Sequence, residues 1–381
     1  MIIVAKPFIK WAGGKEKELC YIIPKLPKDI NNYIEPFLGG GAVFLAFDNI
    51  KISGEKFVND FSQELIALYN AISSNDKKFF NYLKDIEHNW NLLSVISEKY
   101  SFNFLEIYNA YKVTKNKQEL KDSISEFMLH HSNDFNGMLE MSFNRKIDEF
   151  NNEIIKCLYR KIVRVCKLED ENGDFGSQNV LENIETALKS AFYTHIRTLY
   201  NEKETPELKK FFNPSRKSAF FYFIREYCYA AMFRYNNKGE FNVPYGGMAY
   251  NRKNFKSKIE YISSQALVDY IQETKIYNLD FEEFINSLNL ESNDFIFVDP
   301  PYDTEFSDYA QNEFNKNDQI RLADCLARID AKIMIVIKDT PFIRKLYKER
   351  HFKISEFEKK YMVNFQNRND RQVSHLLITN Y

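Results

Sequence analysis

Four short apolar runs punctuate the chain: Tyr33-Ile34, Lys56-Phe57-Val58, Phe295 to Val298 and Ile333 to Ile337. Each ends at a polar or turn-forming residue, the pattern of buried parallel strands. Helical periodicity lies between some of them, as in Ser62 to Ile72 and Asn317 to Arg328. Strands alternating with helices at this spacing predict an α/β fold built on a mostly parallel, doubly wound sheet. Two further strands are expected in the tail, at Lys353 to Tyr361 and Val373 to Thr379, around the polar loop 364–370. They would close the sheet as a hairpin.

The middle of the chain breaks this alternation. From about Phe79 to Ala231 the pattern is helical and rich in Asn, Lys and Glu, with a loop expected at Glu169 to Ser177. An inserted, mainly helical domain is therefore expected at 79–258, dividing a catalytic domain into 1–78 and 259–381. Asn237-Lys-Gly239, set between aromatic and β-branched residues, predicts a β-hairpin at about 229–247.

At 381 residues and 44% apolar, the chain can bury a sizeable core. A net charge of −1 does not announce a nucleic-acid binder, but it hides a local excess. Between Arg197 and Lys258 there are 13 Lys/Arg against 5 Asp/Glu, a net of +8. Such a segment is either a phosphate-contacting surface or an ordinary solvated helix face. Cys20, Cys157, Cys166, Cys228 and Cys325 are scattered and form no C-x-x-C pair, which argues against a disulfide framework and against structural zinc. No metal is expected. The N-terminus lacks a signal-peptide pattern, and no window of about 18 apolar residues exists. A cytosolic protein that does not engage a membrane is the expectation.

Candidate chemistry falls in four blocks. Glu35-Pro-Phe-Leu-Gly-Gly-Gly-Ala-Val-Phe44 follows the first strand, and its glycines let backbone approach a ligand without Cβ interference. Asp60 follows the next strand, where a carboxylate can hold a ribose diol; the plainer reading is a helix cap. In Lys10-Trp-Ala-Gly-Gly-Lys15 a Trp face and a lysine could clamp a methionyl group, although alone the stretch reads as a surface turn. Within the expected hairpin, Arg234 and Lys238 offer donors for guanine or phosphate, and Pro244 and Tyr245 offer apolar wedges. Some of its aromatics are expected to form a small core beneath it. Asp299-Pro-Pro-Tyr302 ends the Phe295 to Val298 strand with a rigid turn at the sheet edge where α/β ligands bind. A carboxylate and a proline carbonyl can each accept a hydrogen from an exocyclic amino group while a tyrosine stacks on its base. Adenine N6 and cytosine N4 are such groups.

Together and in this order, the blocks resemble the Dam-type, alpha-group DNA adenine-N6 methyltransferases, whose signatures are K-W-A-G-G-K, E-P-F-x-G-x-G-x-V-F, R-Y-N-x-x-G-x-F-N-V-P-F/Y-G and D-P-P-Y. The likeness runs from Phe8 to Asp60 and from about Phe220 to the end, leaving about Phe79 to Ala219 uncovered. It implies a Rossmann-like class I methyltransferase sheet, S-adenosyl-L-methionine as cofactor and double-stranded DNA as partner. It implies that Trp11, Lys15, Phe37, Gly39 and Gly41 contact the cofactor, that Asp60 holds its ribose, and that Asp280 with Phe281 flank its adenine. Asp299, Pro300 and Tyr302 would hold a flipped target adenine, with Asp299 also close to the cofactor. Arg234, Asn236, Lys238, Asn242, Pro244 and Tyr245 are the expected DNA contacts. A monomer is expected, accompanied in a restriction–modification system by a cognate endonuclease. One departure stands out: the family's Tyr-Asn-Gly-Leu-x-Arg is here Tyr229-Ala-Ala-Met-Phe-Arg234, so the resemblance carries the chemistry but no recognition sequence.

Other readings fit less well. Cytosine-N4 enzymes more often carry Ser-Pro-Pro-Tyr and a different motif order, and RNA or protein-glutamine enzymes Asn-Pro-Pro-Tyr without the hairpin block. A catalytically silent DNA-binding relative would not need the intact Lys15, Asp60 and Asp299. A dehydrogenase would want a full G-x-G-x-x-G, which the 37–41 turn lacks.

Overall fold

The computed structural model describes residues 6–11, 13–46, 52–136, 146–203, 213–301, 314–360 and 372–381. Its sheet has seven strands: β1 (Tyr33–Glu35), β2 (Lys56–Asn59), β3 (Thr274–Tyr277), β4 (Phe295–Val298), β5 (Lys332–Lys338), β6 (Lys353–Lys360) and β7 (Gln372–Thr379). The order across the sheet is β3-β2-β1-β4-β5-β7-β6. The first five are mutually parallel, and β7 runs antiparallel between β5 and β6. This is the expected α/β architecture with its closing hairpin.

The central parallel strands are covered on both faces, so they read as unbroken apolar runs. Every residue of β4 is buried, as are the five central residues of β5. Only β3 escapes the sequence reading. Its Thr-Lys-Ile-Tyr has no apolar run, since it is an edge strand whose outer positions face solvent, and Lys275 pairs with Glu55 at 2.7 Å.

The order reverses between β1 and β4, which lie side by side although about 260 residues separate them in the sequence. An open α/β sheet forms a crevice at such a switch point, beyond the carboxyl ends of the strands. The glycine turn leaves β1 at that edge and Asp299 leaves β4 there.

The chain divides into two compact units: Met1–Asn75 with Phe233–Tyr235 and Ile262–Tyr381, which holds the sheet, and Asp76–Met232 with Asn236–Tyr261. The second is helical: Lys77–Lys99, Ser101–Thr114, Lys117–His130, Ile147–Asn172, Gly176–Tyr200 and Pro214–Tyr227. Three of these six helices start at side-chain caps. Asp76 accepts from the backbone N–H of Lys78 and Phe79, and Asn213, with Pro214 after it, accepts from Ser215 and Arg216. Along Ile147–Asn172 the buried positions Phe150, Ile154, Leu158, Ile162 and Val165 repeat at helical spacing. Trp90 centres an aromatic core, with Tyr227 at 4.4 Å and Phe223 at 5.4 Å between ring centroids. The loop expected at Glu169 to Ser177 is only three residues long, because Glu169 accepts from Tyr108 Oη, Lys112 Nζ and the Phe175 backbone N–H and ties it down. Burial opposes ionisation of Glu169, but these donors outweigh it and hold its carboxyl low, at about 2.

Among the described residues no helix is long and apolar enough to cross a membrane.

Candidate active site

The turn after β1 is built from closely approaching parts. Gly39 has φ +50°, and a Cβ there would stand 2.8 Å from Trp11 Cδ1; Gly41 has φ +68°, and a Cβ there would stand 2.5 Å from Tyr69 Oη. Any larger residue would meet both a left-handed backbone and a filled space. The turn is pinned from the next strand. Leu38 N–H donates to Asn59 O at 2.9 Å, and Gly39 N–H donates to Asp60 Oδ2 at 2.8 Å.

Asp60 spans two elements, since its other oxygen accepts from Ser62 N–H at 2.9 Å. The helix Gln63–Ser73 is capped instead by Ser62, whose hydroxyl accepts from Leu65 N–H. Asp60 is thus not the helix cap. Burial raises its pKa, with the Ser62, Gly39 and Phe61 N–H groups acting against the shift. A carboxylate has further lone pairs beyond these two bonds, so it can still accept from a diol.

Asn59 is a site residue that sequence reasoning missed. Its buried amide donates to Pro36 O at 3.0 Å and Leu279 O at 3.1 Å, and accepts from Leu279 N–H at 2.9 Å. It therefore staples the loops after β1 and β3 to β2. An amide at a strand's carboxyl end, just before Asp60, is the only signal the sequence offers.

Phe37, Phe281 and Phe314 form an apolar wall, with centroids 5.5, 5.6 and 5.8 Å apart. Asp280 beside it caps the helix Phe281–Asn286 and pairs with Arg321 at 2.7 Å, and the Arg321 guanidinium lies 4.5 Å over the Phe281 ring. Asp280 is thus held by its own helix and by Arg321.

On the far side of the switch point, β4 ends at Asp299. Pro300 is buried, and Gln319 Nε2 donates to Pro301 O at 2.9 Å, anchoring the di-proline turn. Tyr302 lies outside the described residues. The buried ammonium of Lys15 donates to Asp299 Oδ1 and, at 2.9 Å, to Gly13 O. One segment thus bridges both sides: Trp11 at its start lies against Gly39, and Lys15 at its end holds Asp299.

Glu35, at the carboxyl end of β1, is buried and accepts from Tyr33 Oη at 2.7 Å. Burial drives its pKa well above the carboxylate range. Tyr33 and the Phe44 backbone oppose the rise, while the charges of Asp299 and Asp60 add to it. Burial thus disfavours the charged form of this acid, and the nearby Asp299 and Asp60 carboxylates add to that. It lay within a motif block, but no sequence signal distinguished it from a structural glutamate.

The model of the D12 class N6 adenine-specific DNA methyltransferases matches residues 11–154 and 151–363. The chain belongs to this family. It is an adenine-specific DNA methyltransferase. The match runs through the helical unit, which the motif blocks alone left uncovered. Among relatives, the Type II methyltransferase M.CviBI of Paramecium bursaria Chlorella virus NC1A is 26% identical over 379 residues, covering 99% of this chain and 100% of that protein. The Type II methyltransferase M.MjaIII of Methanocaldococcus jannaschii is 27% identical over 391 residues, 99% of each. The DNA adenine methylase of Haemophilus influenzae is 24% identical over 361 residues, 91% of this chain and 85% of that protein.

The expected DNA contacts are spread over unlike environments. Arg234, Lys238 and Pro244 are exposed, and Asn242 is half-buried. Asn236 shapes a turn: its Oδ1 accepts from the Lys238 and Glu240 N–H groups, and its Nδ2 donates to Glu240 at 2.8 Å. Tyr245 is buried 5.6 Å from Trp90, with its hydroxyl donating to Asn251 at 2.7 Å, so in this conformation it belongs to the core beneath the loop.

Residues 229–247 form no β-strand. The arms meet at an isolated antiparallel bridge, Cys228 to Tyr245, and at the turn where Asn236 N–H donates to Glu240 O. Side chains replace the missing ladder. Arg197 and Tyr193 both donate to Val243 O, at 2.7 and 3.0 Å, and Asn201 brackets Phe241 through its backbone N–H and C=O. The charge excess of this segment is thus partly internal, because Arg216 and Arg225 are buried and Arg197 holds backbone.

Proposed function

We propose that this methyltransferase transfers a methyl group from S-adenosyl-L-methionine to N6 of a flipped-out adenine in double-stranded DNA. In this reading residues 1–78 and 259–381 form the catalytic domain, and 79–258 read the target. The observation that carries it is the bridge from Trp11, against Gly39, to Lys15, on Asp299. It joins a ligand-shaped glycine turn to a carboxylate suited to an amino group.

The residues at the crevice fit this cofactor. The tightly turned backbone at Gly39 and Gly41, the Asp60 carboxylate and the Phe37–Phe281 wall suit a methionine moiety, a ribose and an adenine, in that order. When bound, S-adenosylmethionine supplies a methyl group on a sulfonium, whose departure leaves a neutral thioether.

The protein's part is positioning and electrostatics. The adenine amine is a poor nucleophile because its lone pair is delocalised into the ring. Hydrogen bonds from N6 to the Asp299 carboxylate and the Pro300 carbonyl draw the nitrogen toward tetrahedral geometry and stabilise its growing positive charge. Lys15 keeps the Asp299 carboxylate aimed. No strong base is required first, since the proton leaves a cationic product. Flipping the base costs a few kcal/mol, and stacking on Tyr302 would return about 1–3 kcal/mol.

Two full-length relatives carry type II methyltransferase names. They support a role as the modification half of a restriction–modification system, beside a cognate endonuclease. A monomer working in the cytoplasm belongs to the same proposal.

Tritium transfer from labelled cofactor to unmethylated plasmid DNA, followed by nucleoside analysis, tests the reading. The label should appear in N6-methyladenine, and Asp299→Asn should abolish it while the far-UV circular dichroism stays unchanged. Label in N4-methylcytosine, or wild-type rates from Asp299→Asn, would overturn it.

A further inference from the structure

Ala230 and Ala231 both adopt left-handed backbone conformations, with φ of 52° and 53°. Met232 N–H donates to Tyr229 O at 3.1 Å across them, so residues 229–232 form a type I′ turn. Both central positions of such a turn favour Asn and Gly, because a Cβ in the left-handed region crowds the following carbonyl. Two alanines are a poor choice, and left to itself the turn would populate other shapes.

An unusual clamp faces it. Arg225, in the last turn of the helix Pro214–Tyr227, is fully buried. Its guanidinium donates to Met232 O at 2.7 Å and to Ala231 O at 3.1 Å. Tyr250 Oη accepts from Ala230 N–H at 3.2 Å on the other flank. Burying a guanidinium is costly unless its donors are used, and here both terminal NH2 groups donate to successive carbonyls of the strained turn. The residues flanking the turn, Tyr229 and Met232, are 43% and 38% exposed, and the chain runs on to Arg234 two residues later.

We propose that Arg225 is a positioning residue for DNA recognition: it holds the Ala230–Ala231 turn in its left-handed form and so fixes how Tyr229 and Met232 meet the duplex. The inference rests on the reading of this loop as a DNA contact. Its basic residue never touches DNA, unlike a surface phosphate contact. If the recognition-competent turn forms only part of the time, apparent affinity falls by that fraction.

The test compares wild type, Arg225→Met, Ala230→Asn/Ala231→Gly, and the triple variant. The substrate is unmethylated plasmid DNA with tritiated S-adenosylmethionine, and methylated adenines are then mapped by sequencing. Arg225→Met should raise the KM for DNA about tenfold more than it lowers kcat, and should spread methylation to sites one base pair off the wild-type motif. In the triple variant, where the turn residues need no clamp, motif fidelity should return and KM should fall to within about threefold of wild type. Amide hydrogen exchange at Met232 gives a readout independent of chemistry: faster in Arg225→Met and slowed again in the triple variant. Wild-type fidelity in Arg225→Met, no rescue by the turn substitutions, or loss of the global fold in both backgrounds would each overturn the proposal. If wild type labels no DNA, the enzymatic reading fails, and the Met232 exchange pattern still decides whether Arg225 holds the turn.

Discussion

Lys15 and Asp299, 284 residues apart in sequence, form an ion pair at the topological switch of the sheet, with Lys15 the more deeply buried partner. The pair explains why a basic residue from the N-terminal block and an acid after the fourth strand belong to one reaction centre. Removing the ammonium would leave the largely buried carboxylate without this orienting donor. Lys15→Met is expected to lower single-turnover methyl transfer by about 10²–10³-fold, in the range seen when one preorganised electrostatic contact is lost. Rapid-quench assays with tritiated cofactor would show it; a change confined to cofactor KM would instead assign Lys15 to cofactor binding alone.

Gly39→Ala places a methyl group 2.8 Å from Trp11 Cδ1 on a backbone at φ +50°. The left-handed strain alone costs about 1–2 kcal/mol. Either the indole moves or the turn does, and both are in the proposed cofactor cradle. Calorimetric titration with S-adenosylmethionine should show at least about tenfold weaker binding, with a lower melting temperature. Unchanged affinity would mean that the cradle lies elsewhere.

Glu35 sets a pH dependence whose sign can be worked out. Its folded-state pKa lies well above the value of 4.5 expected when unfolded, chiefly through burial. Folding therefore takes up a proton, and the stability linked to that proton is lost as pH rises through the folded-state pKa. Glu35→Gln keeps a neutral group of the same shape. Its melting temperature should fall less than that of wild type as pH rises above 4.5; parallel curves would show that the folded-state pKa of Glu35 is not raised.

Glu169 behaves in the opposite sense. Its carboxyl is held at about 2 against a usual 4.5, despite burial, by Lys112 and Tyr108. The stability this supplies is present above pH 4.5 and is lost as pH falls toward 2. Glu169→Gln should cost about 2 kcal/mol at neutral pH, as expected for charge-assisted hydrogen bonds, with the difference from wild type shrinking in acid. Urea denaturation across this range would measure it.

Much of the sheet was legible because its central strands are buried on both faces and appear as apolar runs, β4 most plainly. The edge strand β3 was not, since only one of its four residues is buried and its composition is that of a loop. Asp60 and Asp299 could be singled out from the turns that carry them. Asn59 and Glu35 could not, because a buried amide or acid matters through the carbonyls and charges around it, and those come from distant segments.

By itself, the order of residues determined the alternation of strands and helices, the glycine turn, the di-proline stop after Asp299 and the chemistry these permit. Such features are local: they depend on backbone sterics and on side-chain periodicity over a few residues. Which groups meet was decided only by the tertiary structure. The Lys15–Asp299 pair, the Trp11 contact at Gly39 and the hold of Arg225 on an unfavourable turn each join segments that spacing alone does not relate. Charge, burial and hydrogen-bond supply are properties of the assembled neighbourhood, and the same lysine or arginine would be an ordinary surface cation without it.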